Sequence, residues 1–473
     1  MIRFYIPIYQ EALPILGDVV GNVGRRDRCA PPTNGPNKPP GPTLSESQWY
    51  HPSVKRRHKE IKVWAALLAF LYSLPCAINA RAQGNSSPQL NKFQIPLPSG
   101  LEVASAALSP DGERVAATFV RPRRAVADQD DIAVSVRIWN VGTKEPIASR
   151  QLSVRRVDAS LAVWESNVGT FVHYCENGLG IMVADPGGTL SYLNPQTLEI
   201  LHVTATNIDV DPSGRRWKTA CAANGRQAVV ATFGGLAGPV GHKKTNDAVR
   251  IRVFDLSSGA LLREWNLENN PPFGDVAISP SGDQIAVSYV ATNRFTERPK
   301  AIPNLEVLNV KTGKVNLQVK TGHLPGRISF VGQTRVATAD TNRPGLFGKP
   351  EIKVWDTSNG KLVKEFGDPK VGARRRVGAS SDGNVILGYI PQETVNSGTK
   401  TEDWTVQARF RLWDVTTGQT IATSPLLPPI RGTIFALELD VSANGRAVVV
   451  FSSGSFPISV FSTTPSAPPT GNQ

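Results

Sequence analysis

One short pattern recurs six times after residue 130 of this 473-residue chain. Each copy is a β-like run that ends in an aromatic or apolar residue followed by Asp or Asn, and five copies have a Gly soon afterwards. The clear copies are Asp255 with Gly259, Asp356 with Gly360 and Asp414 with Gly418, and the looser ones are Asn140 with Gly142, Asn309 with Gly313 and Asn194 without a Gly. Repeats at this spacing predict a stacked or circular array of small sheets.

Each repeat is interpreted as four strands, a to d from inside to outside. Strand a ends in a turn such as Ser109–Gly112, where Pro presets φ and Gly accepts a positive φ. An apolar strand b follows (Val115–Phe119, for example), then a variable loop, strand c with its Asp ending, and strand d, such as 361–366. We expect the Asp to accept hydrogen bonds from the next turn. A Gly four residues later would close a bulged hairpin, and the preceding aromatic residue would pack between blades.

Strand c has seven anchor positions when a last copy near the C-terminus is included. They are Ile138, Tyr192, Val253, Val307, Val354, Leu412 and Val460. The last copy has no strand d after it, whereas residues 92–97 form an unassigned strand before the first repeat. We therefore predict an all-β fold, a seven-bladed β-propeller of four-stranded antiparallel blades. The N-terminal strand would complete the seventh blade and remove the open sheet edges.

The segment before the repeats has the pattern of a secretory signal peptide. Residues 55–62 are basic, residues 63–74 are apolar, and Ala80-Arg81-Ala82 offers a cleavage site. We assign 54–82 to a signal peptide and expect export to the periplasm or the medium. A core helix and an uncleaved membrane anchor are the alternatives, but the apolar run is short for a span. No membrane span is expected after cleavage.

Residues 1–53 precede this signal and show no sustained periodicity. We interpret them as a disordered or mis-annotated extension and hypothesise that translation starts at Val54 from a non-AUG codon. N-terminal sequencing of the native protein tests this, and a cellular peptide from residues 1–53 would contradict it. The propeller is expected to occupy 83–464, followed by a disordered tail at 465–473.

The turns of the Ser-Pro-Asp-Gly type and the Trp-Asp-x-x-x-Gly endings, across about residues 90–464, resemble those of WD-repeat and WD-like bacterial β-propellers. The chain departs from the WD pattern in two respects. The Gly-His pair is clear only at Gly322-His323, and the anchor spacing is 47–61 residues against about 40–45 in that family. Exported bacterial propellers fit better than cytosolic scaffolds. The resemblance implies a rigid binding platform.

The b–c and d–a loops are expected to share one face of the propeller. The long b–c loops are 121–135, 234–248, 291–304, 340–351 and 391–407. Loops this long are usually functional or disordered, so this face is the predicted binding face. The five loops hold 11 Lys+Arg and 10 Asp+Glu, and the net charge of +13 is shared almost equally between residues 1–82 and the rest. We therefore expect no nucleic-acid partner.

Basic pairs and triplets fall in the predicted d–a loops near the channel mouth. The candidate ligand-binding residues are Arg155, Arg156, Arg374, Arg375 and Arg376. Guanidinium groups bind carboxylate or phosphate well, so an anionic ligand is the functional interpretation. The alternative is that these charges are simply solvated loop residues.

Cys175 and Cys221 each end a predicted strand a, just before an Asn-Gly turn. They occupy similar positions in adjacent blades of a protein expected in an oxidising compartment. A disulfide would require their Cα atoms to lie within about 7 Å. Otherwise both are ordinary buried thiols.

No catalytic motif is evident in the predicted propeller. No Gly-x-Ser-x-Gly elbow occurs, and the four His residues of this region are scattered without metal-ligand spacing. We expect no metal and no cofactor. The leading hypothesis is a non-catalytic monomer that binds a protein or an anionic envelope ligand. The alternative is a propeller enzyme of the lactonase or quinoprotein type, with an anionic substrate at the channel mouth.

Overall fold

The computed structural model describes most of the chain from residue 90 onwards. The described ranges are 90–120, 129–158, 170–185, 187–206, 216–233, 249–267, 273–289, 304–321, 325–340, 351–367, 374–396, 404–427, 430–431, 437–452 and 457–462. The predicted extension (1–53), signal peptide (54–82) and tail (465–473) lie outside the described residues. Within the part of the chain described, no helix combines the length and the apolar character that crossing a membrane would need.

The described residues form seven antiparallel sheets, which are the blades. Blade 1 is β2 (Glu102–Leu108), β3 (Arg114–Val120), β4 (Gln129–Asn140) and β5 (Pro146–Asp158), and blade 2 is β6 (Phe171–Cys175), β7 (Gly180–Ala184), β8 (Thr189–Leu193) and β9 (Ile200–Ala205). Blade 3 is β10 (Arg216–Cys221), β11 (Gln227–Phe233), β12 (Val249–Asp255) and β13 (Leu261–Leu267). Blade 4 is β14 (Phe273–Ile278), β15 (Gln284–Tyr289), β16 (Leu305–Asn309) and β17 (Val315–Val319).

The remaining blades follow the same order of strands. Blade 5 is β18 (Pro325–Val331), β19 (Arg335–Asp340), β20 (Ile352–Asp356) and β21 (Leu362–Phe366). Blade 6 is β22 (Arg374–Ala379), β23 (Val385–Asn396), β24 (Trp404–Asp414) and β25 (Thr420–Thr423), with β26 (Ile430–Arg431) also paired to β24. Blade 7 is β27 (Leu437–Val441), β28 (Ala447–Ser452), β29 (Ile458–Ser462) and β1 (Asn91–Ile95). One short 3₁₀ helix, η1 (Glu176–Gly178), connects β6 to β7.

The blades form a closed ring, as predicted. The innermost strand of each blade contacts the innermost strands of both neighbouring blades, and β2 of blade 1 contacts β27 of blade 7. Seven buried apolar clusters hold the ring together, one at each interface between adjacent blades. The Trp residues that precede the repeated Asp or Asn are buried in these clusters, which confirms the packing role expected for them.

The N-terminal strand closes the ring in the predicted way. β1 pairs antiparallel with β29, and this register places Lys92 opposite Phe461 and Ile95 opposite Ile458. Ile95 is 1% exposed and packs in the apolar cluster between blades 7 and 1. The outer edge of the last blade is therefore supplied by the first strand of the propeller.

The repeated Asp accepts hydrogen bonds from the turn that follows it, as predicted. Asp255 Oδ1 accepts the backbone N–H groups of Ser257 and Ser258 at 3.0 and 2.9 Å. Hydrogen bonds from Ser358 likewise hold the pKa of Asp356 below its usual value. The N–H of the Gly four residues after the Asp donates to the Asp carbonyl in each clear copy.

The turn of blade 1 differs from the prediction, because Gly142 is not the residue with positive φ. Lys144, four residues after Asn140, has φ 66° and donates its N–H to the Asn140 carbonyl. Leu198 does the same after Asn194 in blade 2, with φ 59°. The turn geometry therefore places the left-handed residue four positions after the Asp or Asn. Where that position is not Gly, another residue adopts the left-handed conformation.

Replacing Lys144 by Gly is expected to stabilise the protein by up to about 1 kcal/mol. A non-Gly residue in the left-handed region costs roughly 1–2 kcal/mol, and the extra unfolded-state entropy of Gly offsets about half of that. Lys144 is exposed, so no packing is lost. Lys311, an exposed residue without positive φ in the corresponding turn of blade 4, is the matched control. Lys311→Gly should be destabilising in the same urea titration, and equal effects of the two changes would contradict the explanation.

Two of the predicted b–c loops are partly strand. β4 begins at Gln129, within the predicted loop 121–135, and β23 and β24 extend to Asn396 and from Trp404, within the predicted loop 391–407. The b–c connection of blade 6 is thus largely a continuation of its hairpin, because pairing satisfies the backbone groups of these residues. Nearly all of the other long b–c loops lies outside the described residues.

Candidate functional site

The strand registers allow one level of the channel wall to be identified in every blade. In blade 4, for example, the anchor Val307 of strand c pairs with Ala286 of strand b. Two residues after Ala286 on strand b, Ser288 pairs with Asp275 on the innermost strand. The same rule gives one residue in each blade. These residues, here called the mouth ring, are Ser105, Phe171, Lys218, Asp275, Arg327, Arg374 and Glu438.

The mouth ring lies in the first half of the innermost strand in blades 2 to 7, and Ser105 lies at the middle of β2 in blade 1. The start of the innermost strands is the end of the propeller where the b–c and d–a connections meet, and therefore the face predicted to bind. Four consecutive blades, 3 to 6, contribute a charged residue each, in the order Lys218, Asp275, Arg327 and Arg374, and Glu438 follows in blade 7. The Lys218 ammonium also lies 5.6 Å from the centroid of the Phe171 ring.

Arg327 connects blades that are not neighbours in the ring. Its Nη2 lies 2.5 Å from Oε1 of Glu438 in blade 7, and its Nη1 lies 3.4 Å from Oδ1 of Asp275 in blade 4. The side chain of Asp275 is 8% exposed and that of Arg327 is 20% exposed. Burial disfavours the charge of Arg327, but the two carboxylates outweigh it and raise its pKa above the usual value. The guanidinium therefore remains a cation within the channel.

The structure separates the two groups of predicted ligand-binding residues. Arg374, Arg375 and Arg376 begin β22, the innermost strand of blade 6, which lies between the blades of Arg327 and Glu438. Arg155 and Arg156 belong to β5, the outermost strand of blade 1, at the radial position farthest from the channel. All five were expected in loops and lie in strands. Only the blade 6 triplet is at the channel mouth.

Polar side chains of the innermost strands also bond to the backbone of the next blade. Ser105 Oγ accepts the N–H of Val172 at 3.3 Å, and Asp275 Oδ2 accepts the N–H of Ile328 at 3.3 Å. Asp440, two residues below the mouth ring, accepts the N–H of Leu108 at 3.0 Å. Asp275 thus both connects blades 4 and 5 and contacts Arg327. These bonds make the channel wall a rigid support for the mouth ring.

Two titratable groups lie one level deeper, in blades 2 and 7. Burial lowers the pKa of His173 to about 4, opposed by a hydrogen bond to the backbone of Thr219. The hydroxyl of Thr219 also lies 3.2 Å from His173 Nε2. Burial raises the pKa of Asp440 to about 6, opposed by the N–H groups of Leu108 and Val441. His173 is therefore neutral near pH 7, and Asp440 is a carboxylate held in an unfavourable environment.

These two groups have opposite effects on stability between pH 4 and 6.5. The folded pKa of Asp440 exceeds its unfolded value of about 3.9, so its contribution to stability falls as the pH rises through 6. The folded pKa of His173 lies below its unfolded value of about 6.5, so its contribution rises over the same window. The wild-type profile should be comparatively flat there, because the two terms oppose each other.

Asp440→Asn is expected to raise the free energy of unfolding by about 1–2 kcal/mol at pH 7 and to leave it nearly unchanged at pH 4. Asn keeps an acceptor for the Leu108 N–H and removes the partly buried charge. The measurement is urea denaturation at both pH values, with Asp283→Asn in an exposed turn as the control. The same change in stability for Asp440→Asn at pH 4 and pH 7 would show that Asp440 is not the titrating group.

At the opposite end of the innermost strands, Cys175 and Cys221 form a disulfide between blades 2 and 3, with a Cα–Cα distance of 5.8 Å. The next residue, Glu176, connects the same two blades. Its carboxylate accepts the Tyr192 hydroxyl at 2.7 Å and pairs with Arg226 Nε at 2.5 Å. This junction is structural in character and lies away from the mouth ring.

Within the described ranges, no group of three or more His, Cys, Asp or Glu side chains is placed so that it could hold a metal ion. Sequence reasoning missed Arg327, Asp275 and Glu438, because their significance depends on a level shared by blades 4, 5 and 7. They could have been found from the sequence by aligning the seven repeats on their strand-c anchors and comparing the residues near the start of each strand a.

No model of a known protein family matches the chain, and no curated protein sequence matches it.

Proposed function

We propose that this chain is an exported, WD-repeat-like propeller that acts as a non-catalytic binding platform. Its ligand docks on the face where the innermost strands begin. The observation that carries this proposal is the mouth ring, in which blades 3 to 7 each place a charged residue at the same level of the innermost strand, on a closed scaffold. Fold alone does not imply function, so the argument depends on this site.

The ligand proposed is a protein or an envelope component that carries carboxylate or phosphate groups. The triplet Arg374–Arg376 starts the innermost strand of blade 6, directly beside the blade that contributes Arg327. Arginine binds these anions with two parallel N–H bonds, which gives orientation as well as affinity. The carboxylates of Asp275 and Glu438 would restrict which anions can approach.

Two observations support export. Residues 54–82 have the basic, apolar and small-residue regions of a signal peptide. The Cys175–Cys221 disulfide is of the kind that persists in oxidising compartments. A fusion of residues 54–82 to a reporter active only outside the cytoplasm tests this, and an inactive reporter made at normal levels would contradict export.

Affinity capture from an envelope extract tests the binding role. The bait is the full chain, beside a variant with Arg374→Ala, Arg375→Ala and Arg376→Ala. The control carries Lys311→Ala, Lys314→Ala and Lys361→Ala, three exposed lysines in c–d turns at the opposite end of the blades. We expect a species that the wild type and the control retain and the arginine variant loses by at least tenfold. The species is then purified and its binding measured directly.

Capture of the same species by all three baits would place its site elsewhere. Capture of nothing by any bait would contradict the binding platform. Anionic lactones and other small anionic substrates would then be tested for turnover, since an enzyme with its substrate at the same channel mouth is the alternative.

A further inference from the structure

We propose that Arg327 is the anion-binding residue of the channel mouth, and that a carboxylate or phosphate group of the ligand binds its guanidinium by replacing Glu438. This inference rests on the proposed binding function and names the residue and the chemistry at its centre. It differs from the sequence-based candidates, because Arg327 lies in blade 5 and precedes the Arg374–Arg376 triplet by one blade.

The first argument is the hydrogen-bonding capacity of Arg327. A guanidinium has five N–H donors. Among the described residues, Arg327 makes one contact through Nη1 to Asp275 and one through Nη2 to Glu438. Three donors therefore have no acceptor in the described part of the chain, although the side chain is only 20% exposed. A bidentate oxyanion is the ligand that fits such a group best.

The second argument is that the two carboxylates differ in burial and in side-chain length. Asp275 is buried and fixed, because its other oxygen accepts the N–H of Ile328 in blade 5. Its contact with Arg327 is long, at 3.4 Å. Glu438 has a longer side chain that is 34% exposed and reaches Arg327 from blade 7. Glu438 is therefore the carboxylate that a ligand could displace, while Asp275 keeps the guanidinium in place.

The third argument is a buried hydroxyl beside Asp275. Ser288 lies directly opposite Asp275 in the strand pair, so both side chains are on the face that packs against blade 5. Its hydroxyl is fully buried and has no hydrogen-bond partner among the described residues. Opposed side chains in a strand pair have Cβ atoms about 5 Å apart. The hydroxyl thus lies beside Asp275 with a donor that no described residue uses.

The test is a titration of the full chain with two probes, inorganic phosphate and citrate, at constant ionic strength, by isothermal calorimetry. Glu438→Gln removes the competing carboxylate and should tighten binding of at least one probe about tenfold. The control is Glu365→Gln, which removes the same charge from an ion pair with Lys353 (3.2 Å) on the outer strands of blade 5. It should leave the dissociation constants unchanged. The two probes distinguish a phosphate ligand from a carboxylate ligand.

Arg327→Gln should weaken binding at least tenfold. This change leaves Asp275 buried without its cation, so the double variant Arg327→Gln/Asp275→Asn provides a second, less destabilising version. The melting temperature of each variant shows whether it is folded. Wild-type affinity in a folded Arg327 variant, or no gain of affinity in Glu438→Gln, would overturn the inference. So would no binding of either probe to wild type and Glu438→Gln alike.

The two proposals can fail separately. If the envelope ligand is captured through Arg374–Arg376 but neither probe responds to Glu438→Gln, the binding platform stands and the role of Arg327 does not. If the probes bind through Arg327 but no envelope component is captured, the anion site stands and the platform role does not.

Discussion

Replacing Cys175 and Cys221 together by Ser is expected to lower the free energy of unfolding by about 3–4 kcal/mol. The disulfide closes a loop with a sequence separation of 46 residues. A cross-link stabilises a protein mainly by restricting its unfolded chain, and a loop of this length corresponds to roughly 4 kcal/mol in that description. Urea denaturation followed by tryptophan fluorescence measures the change.

The double variant should still fold, because other contacts connect the same blades. Glu176 remains bound to Tyr192 and Arg226, and apart from the two substituted positions the apolar cluster between blades 2 and 3 is unchanged. A dithiol reductant should lower the stability of the wild type by a similar amount and should not affect the double Ser variant. Equal stability of the two proteins, with no effect of the reductant on either, would mean that the disulfide is not formed or does not constrain the chain.

Ile95→Ala is expected to lower the free energy of unfolding by about 3 kcal/mol. Ile95 is on the closing strand β1, is 1% exposed, and packs between blades 7 and 1. Truncating a buried Ile to Ala removes apolar contacts and leaves a cavity, at a cost of roughly 2–5 kcal/mol. The effect is large because one side chain contributes both to the last blade and to its interface with the first.

Gln94→Ala is the matched control, since Gln94 is the exposed neighbour on the same strand. Its effect should lie within about 0.5 kcal/mol of zero. If Ile95→Ala were equally neutral, β1 would not be packed as the outer strand of blade 7, and the closure of the ring would have to be explained differently.

Much of the fold could be predicted from the sequence, because each blade repeats one local pattern. The Asp-containing turns, the apolar strand b and the unassigned strand at 92–97 together led to seven blades and to the correct closure. The error at Gly142 has a physical cause. The prediction took Gly as the marker of the left-handed residue. The position of that residue is instead fixed by its backbone hydrogen bond to the Asn140 carbonyl, and Lys144 occupies it.

The candidate site was less accessible to sequence reasoning. Arginines at the channel mouth were expected, and the structure places Arg374 there, but Arg155 lies on an outer strand because β5 is longer than predicted. The contact between Arg327 and Glu438 joins residues 111 positions apart in blades 5 and 7. Only closure of the ring brings these residues together, and no local pattern encodes it.

Hydrogen–deuterium exchange with and without the captured envelope ligand tests the binding claim most directly. The account predicts that the ligand slows exchange at the starts of the innermost strands of blades 5, 6 and 7, in peptides covering Pro325–Val331, Arg374–Ala379 and Leu437–Val441. Protection confined to the c–d turns at the other end of the blades, such as residues 255–259 and 414–418, would contradict it.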